Sequence, residues 1–160
     1  MQSCCPLSRW TQALRPQRDT LGCMSASLPP SARDLEAVTA ANLAFYTAFE
    51  AADLDAMRRV WSHDPIVSCI HPGWAPLLGW RPVEQSFVAI FSNPGWLRVK
   101  PADVIVVVDE SLAWVRCIEV VSSLSDRGPA QGRVAATNLF RREGGEWKMI
   151  LHHGSPMHAG

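Results

Sequence analysis

The sequence lacks the features that mark several large classes of protein. Its 160 residues carry 15 basic and 15 acidic side chains, so no net charge attracts a polyanion, and the basic residues are scattered rather than grouped. No apolar run approaches the roughly 18 to 20 residues of a membrane-spanning helix, since the longest covers residues 104–108. We therefore expect a soluble protein whose partners include no nucleic acid and no membrane.

The cysteines are too few and too irregularly spaced for a disulfide framework or a zinc ribbon. They are odd in number and contain no C-x-x-C pair, which is typical of a reducing compartment, and we expect the cytoplasm. His152 and His153 cannot both bind one metal ion, because consecutive residues of a strand project to opposite faces. We expect no metal site and no cofactor. The five cysteines are Cys4, Cys5, Cys23, Cys69 and Cys117.

Residues 1–30 differ from the rest of the chain. They are rich in arginine, contain a single acid at Asp19, and show no clear apolar period. Such a segment could be an organelle transit peptide, or an extension upstream of a true start at Met24. We favour the extension, and we expect one folded domain over residues 31–157.

Helical spacing dominates the first half of that domain. A serine cap predicts a helix over residues 31–52, and an aspartate cap predicts a second, short helix over residues 53–62. Pro82 suits the first turn of a third helix, which the Asn-Pro-Gly sequence at residues 93–95 should stop. In each helix the apolar residues recur every three or four positions and predict one buried face.

Strand patterns dominate the second half. After a brief β-type run at residues 66–70, longer strands separated by turns are predicted at residues 96–108, 112–121, 132–141 and 147–153. Consecutive strands joined by short turns pair antiparallel, and the preceding helices must cover one face of the resulting sheet. The sequence thus predicts an α+β fold, a cone-shaped barrel with three N-terminal helices packed on a curved antiparallel sheet. The open end of such a cone suits an apolar ligand.

Three titratable side chains are candidate catalytic residues. His71 precedes a Pro-Gly turn and titrates near neutrality, so it could take a proton from a carbon acid or simply bond to a turn carbonyl. Glu119 is the one acid on an apolar strand face, where burial would raise its pKa, although an ion pair with an arginine fits the same pattern. His153 shares a predicted inner face with Trp147 and Met149, and it could equally be a structural histidine.

Aromatic and amide side chains near these positions are candidate ligand-binding residues. A tryptophan suits the wall of a pocket and a protein core equally. An asparagine on an apolar strand face could orient a ligand or merely satisfy a buried neighbour. The candidates are Tyr46, Trp61, Trp74, Trp80 and Asn138.

Several short motifs follow one another along the chain in a characteristic order. They are Phe45-Tyr46, residues 53–57, His71-Pro72-Gly73-Trp74, Gly79-Trp80, residues 137–142, Trp147 and His153-x-Ser155. Together they resemble the SnoaL-like branch of the nuclear transport factor 2-like (NTF2-like) superfamily, over about residues 34–156. The resemblance implies a cone-shaped α+β barrel that commonly forms a homodimer through the outer face of its sheet. That superfamily includes ketosteroid isomerases, polyketide cyclases, dehydratases, epoxide hydrolases and non-catalytic association or transport domains, so it does not decide function.

The resemblance also implies roles for individual residues. Ketosteroid isomerases place an acidic general base just before a proline at the end of the first strand, and this position falls on His71-Pro72 when one inserted residue is allowed. Their oxyanion-binding tyrosine aligns near Phe45. The single tyrosine of this chain is the adjacent Tyr46, about 100° further round the helix. The hydrogen-bond donor for an enolate oxygen is therefore missing or relocated.

Two functions fit the sequence. In the first, a homodimeric enzyme binds a small apolar carbonyl compound or polyketide-like molecule. His71 acts as base, and Glu119, Asn138 or His153 positions the substrate for isomerisation, cyclisation or dehydration. In the second, the same cone is a non-catalytic ligand-binding or homo-association module whose polar groups are structural.

Overall fold

The computed structural model describes residues 31–92, 96–125 and 128–157. The elements are α1 (Ala32–Glu50), α2 (Leu54–Val60), β1 (Ser68–Ile70), β2 (Leu77–Leu78), α3 (Trp80–Phe91), β3 (Trp96–Asp109), β4 (Leu112–Ser125), β5 (Gly128–Glu143) and β6 (Glu146–Pro156). Within this part of the chain, all the strands belong to one sheet with the order β2-β1-β6-β5-β4-β3. The leader expected at residues 1–30 and the helix stop expected at residues 93–95 lie outside the described residues.

The helices begin where the capping residues predict. The Ser31 hydroxyl accepts a hydrogen bond from the Asp34 amide at 3.1 Å, and the Asp53 carboxylate caps α2 in the same way. The Arg142 guanidinium pairs with Asp34 and lies 4.5 Å from the centroid of the Trp147 ring. These contacts tie the first turn of α1 to β5 and β6. The helices cover one face of the sheet, and the predicted cone-shaped α+β class is confirmed.

The sheet is mixed rather than purely antiparallel. Strands β3 to β6 form the predicted antiparallel meander, but β1 pairs parallel to β6, with Cys69 opposite His152. The short strand β2, which the sequence did not predict, pairs with β1 at the edge. A register shift between Ala102 and Ile105 follows Pro101, so this proline lies within one long strand. The prediction of an antiparallel sheet is therefore corrected at β1.

One extra residue in β6 exchanges the two faces of that strand. Met149 and Leu151 pair with consecutive residues of β5, so Ile150 between them is a bulge. Because side chains alternate along a strand with a period of two, one inserted residue moves every later side chain to the opposite face. After the bulge His152 is buried and His153 is exposed. The prediction that His153 faces inward is wrong, and His152 takes its place.

A close approach of the Pro72 ring to the backbone of β6 positions the turn after β1. A Cβ atom at Gly154 would lie 3.0 Å from Cγ of Pro72 and 3.1 Å from Cγ1 of Val134, so the glycine lets β6 pass beneath this turn. The Trp74 amide closes the turn by donating to the His71 carbonyl at 2.9 Å. His71 is thereby held against the inner face of the sheet.

The core lies between the helices and that inner face. Phe45, Trp61 and Phe87 meet near its centre, with ring centroids between 6.1 and 6.5 Å apart. No helix among the described residues is both long enough and apolar enough to cross a membrane.

Candidate active site

A cavity of about 190 Å³ opens between α1, α3 and the inner face of the sheet. Its wall is mostly apolar and includes three titratable side chains. The apolar lining consists of Phe45, Phe49, Pro72, Trp74, Phe87, Ile90, Leu97, Val99 and Val121, and the titratable lining consists of His71, Glu119 and His152. An apolar concavity with a few convergent polar groups is the usual form of a small-molecule site.

Glu119 lies in the middle of β4 and is only 4% exposed. The Tyr46 hydroxyl donates a hydrogen bond to its Oε1 at 2.9 Å. Burial raises the pKa of Glu119 to about 7, and the bond from Tyr46 opposes this shift. The described neighbours of this carboxyl are Tyr46 and His152 rather than the arginine that an ion pair would need. Since Tyr46 uses Oε1, Oε2 is left for a ligand.

His152 is held by an amide network. The Asn138 side-chain amide donates to Oδ1 of Asn42 at 2.8 Å and to the Tyr46 hydroxyl at 3.2 Å, which turns its own Oδ1 towards His152. Nδ1 of His152 lies 2.7 Å from that oxygen and is therefore the protonated nitrogen. Nε2 keeps its lone pair and lies 4.0 Å from Oε1 of Glu119. Burial lowers the pKa of His152 to about 3, so this ring is neutral at pH 7.

The His71 ring is also neutral and has a defined tautomer. Its Nε2 lies 2.8 Å from the Ser86 hydroxyl oxygen, and that hydroxyl donates its single proton to the Val83 carbonyl at 2.6 Å. Nε2 must therefore donate to Ser86, and Nδ1 keeps a lone pair, with the Cys69 sulfur 3.8 Å away. Burial lowers the pKa of His71 to about 4. At neutral pH the ring can accept a proton at Nδ1.

The structure separates the predicted ligand-binding residues into three groups. Trp74 lines the cavity and is 47% exposed at its edge. Tyr46 and Asn138 lie behind the cavity wall, where they hold Glu119 and His152. Trp61 and Trp80 do not line the cavity, which corrects that part of the prediction. Trp61 is buried in the core.

Trp80 is excluded from the cavity by its place at the start of α3. Its ring stacks on His63 at a centroid distance of 4.6 Å and an interplanar angle of 14°. Because the inward stripe of α3 begins at Val83, Trp80 instead meets Trp61 and His63 in the chain after α2. The sequence does not indicate whether a tryptophan at the start of a helix lines the cavity or packs against neighbouring elements.

Sequence reasoning missed Ser86 and His152. Ser86 had a usable signal, because a serine between Val83 and Phe87 lies on an otherwise apolar helix stripe. His152 had none, because its orientation depends on the bulge at Ile150. Among the described residues, no group of three or more His, Cys, Asp or Glu side chains is arranged to hold a metal ion.

The chain is similar to known proteins of the same fold. Residues 38–159 match the family described as the SnoaL-like domain. A crystal structure of a candidate dehydratase of the NTF2-like family from Streptomyces avermitilis is 35% identical, with a TM-score of 0.73, over 79% of this chain and 98% of that one. A candidate calcium/calmodulin-dependent protein kinase type II association domain from Thiobacillus denitrificans ATCC 25259 is 37% identical, with a TM-score of 0.61, over 75% and 94%.

One curated relative is a plant protein. The F-box protein SKIP8 of Arabidopsis thaliana is 29% identical over 121 residues, which are 76% of this chain and 50% of that protein. The chain thus spans half the length of this relative. A candidate enzyme and a candidate association domain share the fold, so the fold alone does not select an activity. Because the family match extends over most of the described domain, the chain belongs to the SnoaL-like domain family of the NTF2-like superfamily.

Proposed function

We propose that the protein is an acid–base enzyme that removes water from, or isomerises, a small carbonyl compound bound in the cavity. The observation that carries this proposal is the set of complementary proton states in one apolar cavity. Glu119 has its pKa raised to about 7, and the adjacent His71 and His152 are neutral bases. A carboxyl with a pKa near the working pH is suited to moving protons, and a neutral imidazole beside it has a lone pair that can accept one. No cofactor is needed for such chemistry.

The proposed dehydration uses one base and one acid. Nδ1 of His71 takes a proton from the carbon next to the carbonyl, and the electron pair of that C–H bond forms a C=C bond. The C–O bond to the β-hydroxyl breaks as protonated Glu119 gives its proton to the departing oxygen, which leaves as water. The proton on His71 then returns to Glu119 through solvent. Isomerisation uses the same first step, with the proton returned to a different carbon.

Two observations favour dehydration over the other reactions of the superfamily. The Streptomyces avermitilis relative, at 35% identity, is described as a candidate dehydratase. The carboxyl of Glu119 is held by Tyr46 in an apolar wall, where its protonated form is favoured and can act as an acid.

Replacing His71 by glutamine is expected to remove proton abstraction without unfolding the protein. The glutamine amide can still donate to Ser86, but it has no basic nitrogen for the substrate. We expect the protein to accelerate exchange of the α-protons of small ketones into D₂O, and the variant to lose about 10²- to 10⁴-fold of this rate. Proton NMR of a panel of ketones measures the exchange directly.

The matched control is His153→Gln, since this neighbour of His152 is exposed on the other face of β6. It should exchange ketone protons at the wild-type rate. Equal rates in the wild type and His71→Gln, with both folded by circular dichroism, would refute the role of His71. Loss of exchange in His153→Gln alone would restore the original prediction for that residue.

A second proposed function, self-association, is favoured by the outer face of the sheet. There Trp114 is 42% exposed, Ile105 is 47% exposed and Leu112 is 44% exposed, although all lie in long strands. Adjacent exposed apolar side chains of this size commonly mark an interface. The Thiobacillus denitrificans relative, at 37% identity, is described as a candidate association domain. A homodimer through this face fits both facts.

Replacing Trp114 by lysine is expected to convert a dimer into a monomer. The lysine would place a charge in the centre of the apolar face, where a partner would have to desolvate it. Sedimentation velocity measures the change. Trp74→Lys is the control, because Trp74 is exposed to a similar extent at the cavity instead. A wild-type monomer, or a Trp114→Lys dimer as stable as the wild type, would refute the interface.

A further inference from the structure

We infer that the ligand of this cavity is an uncharged molecule whose enclosed part is about the size of one substituted six-membered ring, and that carboxylates and fused multi-ring ketones are rejected. The inference deepens the proposed function, because it names the class of substrate for the same site. It depends on the volume of the cavity, on the charges around it and on the hydrogen-bonding state of its three polar groups.

The size limit follows from the cavity volume. The cavity measures about 190 Å³. An apolar protein cavity of about 150 Å³ is filled by benzene, whereas pockets for drug-sized molecules measure roughly 300 to 1,000 Å³. One ring with a short substituent therefore fits, and a fused four-ring steroid does not. This size limit excludes large polyketide-like molecules from the ligands that the sequence predicts.

The shape limit follows from the aromatic wall. Phe87 lies at its centre, with Phe45 at 6.2 Å and the His71 ring at 5.3 Å, both nearly perpendicular to it. These rings belong to a packed core, so the wall yields little to a wider molecule. A longer substituent has to leave the cavity past Trp74, which is half-exposed.

The charge limit follows from the residues that surround the cavity. Within the described chain, neither lysine nor arginine lines it, and the one group there that can carry a charge at neutral pH is the carboxyl of Glu119. An anionic ligand would lose its hydration without gaining a cationic partner. It would also repel the ionised form of Glu119.

The hydrogen-bonding limit follows from the two tautomers. His71 uses its N–H on Ser86, and His152 uses its N–H on Asn138. Neither ring therefore has an N–H left to donate to a ligand. Protonated Glu119 is the one donor that the three polar groups offer. This donor can serve one oxygen of a neutral ligand, which is the carbonyl of a simple ketone or the departing hydroxyl in the proposed dehydration, whereas the second oxygen of a carboxylate would face lone pairs.

The test compares two ligands with the same number of non-hydrogen atoms. Acetophenone is neutral and benzoate is ionised at about pH 6, at which Glu119 is still mainly protonated. We expect acetophenone to bind with a Kd on the order of 10⁻⁴ to 10⁻³ M, as its size allows. Benzoate should bind at least about tenfold more weakly, a difference of about 1.4 kcal/mol. Androstenedione, a four-ring ketone, should not compete. Ligand-observed NMR with the full chain gives all three results.

A charge introduced at the rim should change the preference. Leu97 lines the cavity and is 38% exposed, so Leu97→Lys can place an ammonium group there without burying it fully. Benzoate is expected to bind about tenfold more tightly to this variant than to the wild type, with acetophenone little changed. Leu124→Lys is the control, because Leu124 is an exposed leucine of β4 outside the cavity.

Three results would overturn the inference. They are wild-type binding of benzoate as tight as that of acetophenone, competition by androstenedione, and no binding of acetophenone at about 10 mM, well above the expected Kd. The proposed function can fail independently of this inference. If a ketone binds but its α-protons do not exchange, the inferred ligand class stands and the proposed enzymatic activity is refuted.

Discussion

Glutamine in place of Glu119 is expected to reduce turnover by about 10²- to 10⁴-fold and to stabilise the protein at about pH 8. The amide keeps an oxygen that can accept the hydrogen bond from Tyr46, so the wall of the cavity should be unchanged. It has no acidic proton to give to a leaving hydroxyl. Removal of a general acid typically costs about 10²- to 10⁴-fold in kcat.

The gain in stability follows from the pKa of Glu119, which burial raises from 4.5 to about 7. Below pH 4.5 the carboxyl is protonated in both the folded and the unfolded chain, so it causes no pH dependence. Between pH 4.5 and about 7 the unfolded chain releases the proton and the folded chain keeps it. The free energy of unfolding therefore falls as pH rises, by up to about 3 kcal/mol in all. The glutamine variant has no ionisable group at this position, so its free energy of unfolding does not fall for this reason.

Urea unfolding of both proteins at about pH 5 and about pH 8 measures this effect. The difference between the proteins isolates Glu119, because the pH dependence caused by His71 and His152 is common to both. Glu36→Gln is the control, since Glu36 is an exposed glutamate of α1. A Glu119→Gln protein that is no more stable than wild type at the higher pH, or that turns over substrate at the wild-type rate, would contradict the prediction.

The same carboxyl should set the alkaline limb of the pH profile. If Glu119 acts as the acid, turnover falls as pH rises through about 7, because the acid is then lost. If it acted as the base, turnover would rise through the same range. The direction of this limb therefore distinguishes His71 from Glu119 as the group that takes the proton.

The fold was readable from the sequence because its signals are local. Ser31 and Asp53 cap the helices that they were expected to cap, and alternating apolar residues mark the strands of the meander. The parallel pairing of β1 with β6 could not be predicted, because the local sequence of a strand does not specify a partner strand far away in the chain. Glu119 was correctly assigned to a buried face because β4 alternates without interruption around it.

The site was harder to predict from the sequence, because one inserted residue exchanges the inner and outer faces of a strand. Because of the bulge at Ile150, His152 rather than His153 faces inward, and no turn residue or glycine in the sequence predicts this bulge. Tyr46 presents the opposite case. Its sequence position suggested a missing or relocated donor, and the structure places its hydroxyl on Glu119. A side chain of this length can act on a group that its helical position alone does not predict.

Replacing Asn138 by leucine is expected to cause the largest loss of stability, about 3 to 5 kcal/mol. Asn138 is fully buried and joins Asn42, Tyr46 and His152 in one network. Leucine is similar in volume, so little cavity forms, but it leaves buried polar groups without partners. Each such group costs about 1 to 3 kcal/mol. Urea unfolding at about pH 7, where the neighbouring histidines are neutral, measures the loss.

Thr137→Val is the matched control, because it also replaces a polar side chain on β5 by an apolar one, at a half-buried position. Its cost should stay below about 1 kcal/mol. A loss of less than about 1 kcal/mol for Asn138→Leu would show that the network is not a source of stability. Adding Asn42→Leu should make the double variant less unstable than the sum of the single changes, because the second change removes a group that the first left unpaired. Strict additivity would mean that the two amides act independently, and the tautomer of His152 would then need another cause.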